Sequence, residues 1–309
     1  MKIFTVVLLL TGILLAQSKT APSDSVIEKF SDKISLQFIT NYYFENLSGE
    51  SLNDEKLSTN RPLNLGIGGG YGDFTWSSIL SFSFGANEDR PKTKASGLGF
   101  NYFGDRFIGS LFFHANDGFY AEVDDSTKYR KVDFLTVSAG VDLAYILNKE
   151  HSLRAAYSLD RKQKKSNGSF IFGMGVYYNG FKSRDALFSA YKDYQQFVHT
   201  GPSVGYSHSW VWGRGWFYNM MGVFTLSFGK NLSQDQWLSL SQVFPRFSFG
   251  YHAKKWSIHF PFSLKILQIT ADKEAYKEAL FSAGTGVVIM NHSNVFFSAS
   301  SGMMVTRRF

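Results

Sequence analysis

The chain has no cysteine. That excludes disulfides, thiolate metal sites and the lipid-anchoring thiol of a lipoprotein. Proline is scarce, 6 residues in 309, which suits long hydrogen-bonded ladders. Long apolar runs are also missing. Past the N-terminal segment the longest is Leu143 to Leu147, far short of the ~20 residues a spanning helix needs. Neither an interleaved aromatic-basic nucleic-acid motif nor a metal-ligand motif is present, so no cofactor and no nucleic-acid partner is expected.

Aromatic residues are abundant instead: 31 Phe, 16 Tyr and 6 Trp, 17% of the chain. They recur with period two. In Phe74, Trp76, Ser78, Leu80, Phe82, Phe84 one face is rich in aromatics, while Thr75, Ser77, Ser81 and Ser83 fall between them. Successive strand side chains point to opposite faces, so such a strand is apolar on one side and polar on the other. Segments of about ten residues repeat this pattern from Lys33 to the end, the signature of an antiparallel transmembrane β-barrel. An all-β fold of this kind places the aromatics on the lipid face and in the interfacial girdles.

The ends fit export to the outer membrane of a diderm bacterium. Lys2, the apolar Ile3–Ala16 run and small residues at Ala16-Gln17-Ser18 read as a signal peptide over 1–18. Residues 19–309 then form a single barrel domain. The last strand ends on Phe309, which resembles the signal that barrel-assembly machinery recognises; Arg307 departs from it.

Fourteen strands are expected, at 33–44, 63–71, 74–84, 96–103, 106–115, 132–147, 152–160, 169–178, 202–211, 216–228, 241–253, 256–267, 280–290 and 294–309, with twelve as the alternative count. Gly72-Asp73, Gly104-Asp105 and Asn148-Lys149 read as short periplasmic turns. The segments 45–62, 85–95, 116–131 and 161–168 read as outer loops. On this count the longest segment, 179–201, falls on the periplasmic side, against the usual pattern. Leu187, Tyr191, Tyr194 and Val198 have helical spacing and predict a short helix over about 185–198. Thr270 to Leu280 is also rich in helix formers.

Leu65-Gly66-Ile67-Gly68 with Tyr71, Thr93-Lys94, Gly118-Phe119-Tyr120, and Arg154-Ala155-Ala156-Tyr157 followed by Arg161-Lys162-Gln163-Lys164-Lys165-Ser166 and Gly168-Ser169 resemble an uncharacterised family of exported barrel-like proteins, domain of unknown function 4421. The resemblance implies the fold and carries no activity with it.

Chemistry is sparse. Outer-membrane barrel lipases and deacylases carry His and Ser two apart on a strand. None of the seven histidines here is followed by Ser at that spacing, so no catalytic residue is expected. The loop carboxylates Glu122, Asp124 and Asp125 stand close enough in sequence to hold Ca²⁺, but a solvated outer loop is the favoured reading. Alternation in 132–147 assigns Leu135, Val137, Ala139, Val141, Leu143, Tyr145 and Leu147 to lipid, and Thr136, Ser138, Gly140, Asp142 and Ala144 to the lumen. Continuing it through 152–160 turns Arg154 and Asp160 to the lumen. A charge on the lipid face costs ~2–4 kcal/mol at the midplane for Arg or Lys. Asp142, Arg154 and Asp160 are therefore lumen-charge candidates. The net charge is +7, and the run Arg161, Lys162, Lys164, Lys165 is a candidate for binding an anion or the phosphates of lipopolysaccharide-type lipids. The expected function is a narrow channel or ligand-binding port. A structural or surface-interaction barrel with a plugged lumen is the alternative, and a lipid-modifying barrel enzyme is a third reading.

Overall fold

A computed structural model describes residues 26–49, 52, 55–60, 63–81, 86–123, 128–157, 161–185, 194–213, 215–270 and 293–309. The long strands are β2 (Ile34–Gly49), β4 (Leu63–Tyr71), β5 (Phe74–Ser81), β6 (Lys94–Phe103), β7 (Phe107–Val123), β8 (Lys128–Ile146), β10 (Asn167–Ser183), β11 (Gln195–Trp212), β12 (Trp216–Asn231), β13 (Gln236–His252), β14 (Trp256–Thr270) and β15 (Ser293–Arg308). Three short strands and one short helix accompany them: β1 (Ile27–Lys29), β3 (Leu57–Ser58), and α1 (Leu153–Tyr157) followed by β9 (Arg161–Gln163). Each long strand pairs antiparallel with the next, and β15 pairs with β2 from Asn294↔Gly49 to Arg308↔Ser35. The twelve long strands therefore close a transmembrane β-barrel with no free edge.

Among the described residues the ring has twelve long strands, the alternative count. Of the fourteen segments expected, 280–290 lies outside the described residues. The segment 152–160 is not a strand: its described part is α1. Ser152 caps it, its Oγ accepting from Ala155 N–H at 3.2 Å. Ala155 and Ala156 are strong helix formers. Removing one strand at this point reverses the direction of β10 to β14, whereas β15, which pairs directly with β14, keeps the direction expected. The turns at 213–215 and 253–255 now share a mouth with Gly72-Asp73 and Gly104-Asp105, as do the start of β2 and the end of β15. We call this the terminal mouth and its opposite the far mouth. The 179–201 segment moves to the far mouth, and 161–165 to the terminal mouth. The helix expected over 185–198 is corrected in part: 195–198 belong to β11. Residues 186–193 lie outside the described residues, as does the stretch after Thr270.

Alternation holds along the long strands. Val141 and Leu147 are exposed outside, whereas Thr136, Ser138, Asp142 and Ala144 line the lumen. Outward aromatics form a girdle near the terminal mouth. Their rings meet across strands as Phe74–Tyr102, Phe107–Tyr145, Phe170–Tyr206, Trp210–Tyr218, Trp216–Phe249 and Tyr251–Trp256, at centroid distances of 5.1–5.8 Å. Such pairs prefer these separations and stabilise neighbouring strands.

The wall is uneven. β4, β5 and β6 have 9, 8 and 10 residues, whereas β2 and β7 have 16 and 17. Beyond the short strands, β3 bridges β2 and β7, with Leu47↔Leu57 on one side and Leu57↔Ala121 on the other. The ring is thus narrower at the far mouth, because diameter follows strand number.

Candidate functional site

Three layers fill the lumen. At the far mouth lies an apolar plug of Leu47, Leu52, Leu57, Phe119, Phe134, Phe181, Phe197, Leu238, Leu240, Leu267 and Ile269, all buried. The narrow ring explains it: inward side chains from facing walls reach one another. Above it, Arg130 pairs with Glu55 and Asp185, each at 2.5 Å.

At the terminal mouth, α1 and the β1–β9 pair fold into the opening. Leu153, Arg154, Ala155 and Ala156 are buried. Two backbone carbonyls of the short helix meet barrel side chains. Ser248 Oγ donates to Ala156 O at 3.0 Å. His252 Nε2 meets Ala155 O at 2.9 Å, and His252 Nδ1 meets Ser257 Oγ at 2.9 Å. A carbonyl can only accept, so Nε2 carries the proton and Nδ1 accepts from Ser257. Ser257 in turn accepts from Arg308 Nη1 at 2.7 Å. Tyr157 OH donates to Asn219 Oδ1 at 2.8 Å, and Asn219 Nδ2 donates to Ser207 and Ser209. The result is a relay that ties the plug to β11–β14.

Charge holds its other side. The Arg154 guanidinium donates to the Asp73 carboxylate, Gly72 O and Phe103 O. Arg161 donates to Asp105 at 2.9 Å and to Asp73 at 3.4 Å. Both arginines are buried while both aspartates are about two-fifths exposed. Burial works against the Asp105 charge, but Arg161 and Lys29 outweigh it and hold its carboxyl below the usual value. Burial, with His208 adding to it, pushes His151 at the base of the plug down to about 4.

Between the plugs lies a chamber of about 680 Å³. Its wall carries Glu45 on β2, Asp142 on β8, Tyr177 on β10, Arg246 on β13 and Lys265 on β14. Glu45 accepts from Tyr43 OH at 2.7 Å and from Asn116 Nδ2 at 2.5 Å. Asp142 accepts from Tyr177 OH. Gly175 makes that bond possible, since a Cβ there would stand 2.6 Å from the Asp142 carboxylate.

A family model described as Domain of unknown function (DUF4421) matches residues 22–289. The chain belongs to the DUF4421 family. No curated protein matches the sequence. Among solved structures this DUF4421 barrel is similar to LpxR from Salmonella typhimurium, at 11% identity and TM-score 0.37, covering 89% of this chain and 100% of that one. It is similar to the Pseudomonas putida toluene transporter TodX at 7% identity and TM-score 0.34, covering 96% and 93%. The outer membrane protease OmpT from Escherichia coli follows at 7% and 0.30, covering 91% and 98%.

The expected site residues of the DUF4421 barrel separate. Asp142 faces the lumen as alternation requires. Arg154 faces inward too, but from the helix, where it serves the plug and not the chamber. Asp160 lies outside the described residues, as do Asp124 and Asp125. The basic run is not one cluster. Arg161 is buried against two carboxylates, Lys162 sits opposite Glu28 in the β1–β9 ladder, and Lys164 and Lys165 are exposed. The whole run is at the terminal mouth, not at the opposite end where the fourteen-strand count put it. Glu45, Arg246 and Lys265 were missed. Their signal was present: Lys265 stands in Ser263, Lys265, Leu267 on the inward register, between outward Phe262, Leu264 and Ile266.

Proposed function

We propose that this protein is an outer-membrane port: a barrel with a central chamber for a small polar solute, closed at each mouth by its own residues. The carrying observation is the order of the layers. Side chains fill both mouths and leave the middle open, whereas a barrel built only as a static wall packs its interior throughout. The chamber's size falls within that of ordinary ligand pockets. The apolar belt, the girdle and the export-type N-terminus support placement in the outer membrane after signal cleavage. The terminal mouth is then periplasmic and the far mouth external, so the α1–β9 insert guards the exit to the periplasm. Phe309 at the end of β15, exposed to the lipid side, suits recognition by assembly machinery. The 161–165 run, at the terminal mouth, then lies on the periplasmic side, away from the phosphates of the outer leaflet. We read the barrel as non-enzymatic, because the His252–Ser257 pair is already engaged by Arg308 and Ala155 O.

The test is conductance in planar bilayers. The intact barrel should be closed most of the time, and loosening both mouths, by Arg154→Ala with Arg161→Ala and Phe181→Ala with Phe296→Ala, should open it. A closed record for both, with the variant still folded, leaves the structural plugged barrel as the correct reading.

A further inference from the structure

The chamber walls differ in how their charges are satisfied. Glu45 and Asp142 accept hydrogen bonds from neutral donors, as described above. The two cations opposite are not matched in this way. Lys265 has no hydrogen bond or ion pair with any described residue. Glu45 and Asp142 act on it electrostatically, from beyond ion-pair distance. The Arg246 guanidinium lies 4.2 Å over the Tyr157 ring and 5.4 Å from that of Phe244. Among the described residues no acceptor meets its N–H groups.

The two cations are neighbours. Arg246 pairs with Ser263, two residues from Lys265 on the same inward face. Diagonal partners of this kind lie ~7–8 Å apart, a span one carboxylate or phosphate can bridge. The ladder also breaks here, passing from Val243↔Ile266 to Arg246↔Ser263 with nothing paired between. Pro245 lacks the N–H needed to continue it. Two enclosed cations side by side repel one another and are costly to hold without an anion. Arg supplies a planar fork and Lys a mobile point charge, a combination suited to oxyanions.

We propose that Arg246 and Lys265 form an anion subsite in the chamber, taking the carboxylate or phosphate group of a small solute. This rests on the port reading and names its solute class. The backrest is Tyr157 of the plug helix itself, so an anion drawn to Arg246 sits directly against the element that closes the exit.

The probes are inorganic phosphate and succinate, titrated calorimetrically into the detergent-folded full chain, with choline as the cationic control. Because both mouths close the chamber, the titration is repeated on the Arg154→Ala barrel. Binding of phosphate alone, succinate alone or both identifies the group. Lys265→Met and Arg246→Gln should each weaken it by about tenfold or more, the loss of one charge-assisted hydrogen bond. The outward Lys182→Gln should not. Absence of anion binding to both barrels, equal binding of choline, or binding indifferent to Lys265 and Arg246 in variants that keep their folded gel mobility overturns the subsite. Anion binding without any ion current leaves the subsite and removes the port; current without anion binding does the reverse.

Discussion

Phe181 on β10 and Phe296 on β15 stack with ring centroids 4.8 Å apart and planes at 28°, although their strands lie on opposite sides of the ring. The contact crosses the lumen. It exists because β4, β5 and β6 end early and β3 draws β2 to β7, removing width from the far mouth. The Asn116–Glu45 hydrogen bond, also between β7 and β2, is a second consequence of the same pinch.

The stack should therefore act as a gate. Phe181→Ala with Phe296→Ala is expected to raise ion flux through a barrel already opened at the plug. Truncating a buried Phe such as Phe181 costs about 3–5 kcal/mol at a well-packed site, and half-buried Phe296 less, so thermal stability should fall as well. Unchanged single-channel conductance in the plug-opened background would show that the narrow point lies elsewhere.

The terminal plug should depend on Arg154. Asp73→Asn leaves the buried guanidinium without its carboxylate. The loss should stay below the about 3–5 kcal/mol of a fully buried broken pair, because Asp73 is 42% exposed. Protease nicking near 158–166 in the folded barrel should rise. Cleavage at the wild-type rate would mean the relay through His252, Ser248 and Asn219 suffices alone.

Acid should loosen the same insert through His151. Its unfolded value is about 6.5, and in the fold it is held down to about 4. The neutral ring is the native form. Its contribution is whole above 6.5, declines as pH falls, and is exhausted near 4. Across that window the cost approaches about 3 kcal/mol. Amide exchange in 147–157 should quicken between pH 6.5 and 4. His151→Leu should flatten that dependence, and an unchanged profile in the variant would assign the effect to another group.

Faces can be tested on β8. Leu143→Arg puts a charge against lipid and should cost ~2–4 kcal/mol. Ser138→Arg replaces a donor to Asn179 Oδ1 inside the polar lumen, and should be tolerated better. Folding titrations in lipid vesicles that give both variants equal losses would contradict the alternation.

Closure of the ring predicts heat-modifiable mobility. Unboiled samples should migrate faster than boiled ones, and the protein should fractionate with the outer membrane. A soluble periplasmic protein with a single mobility would remove the barrel altogether.

Most of the barrel was legible because its strands obey one local rule. Inward and outward residues alternate, and the alternation alone placed Asp142 in the lumen and Val141 in lipid. The failure at 152–160 has a local cause too. Leu153, Ala155, Tyr157 and Leu159 alternate as well as any strand here, but Ser152 and the Ala155-Ala156 pair are helix signals of equal length. Five residues are too few for period to decide. One misassigned segment then reversed the direction of β10 to β14, and carried the 161–165 run to the wrong mouth. Scarcity of proline was read as a mark of unbroken ladders, yet Pro202, Pro245 and Pro261 all stand inside strands, at gaps in the pairing of β11–β12, β13–β14 and β14–β15.

The sequence by itself determined an antiparallel barrel, its lipid face and the inward direction of Asp142, because each follows from period two within one strand. It could not determine what the lumen holds. The chamber lies between residues far apart in the chain, Glu45, Asp142, Arg246 and Lys265, and the plugs depend on Arg154 meeting Asp73 and Phe181 meeting Phe296. Those contacts arise only once the ring has closed and the short strands have pinched it, which is a property of the whole sheet and of no segment within it.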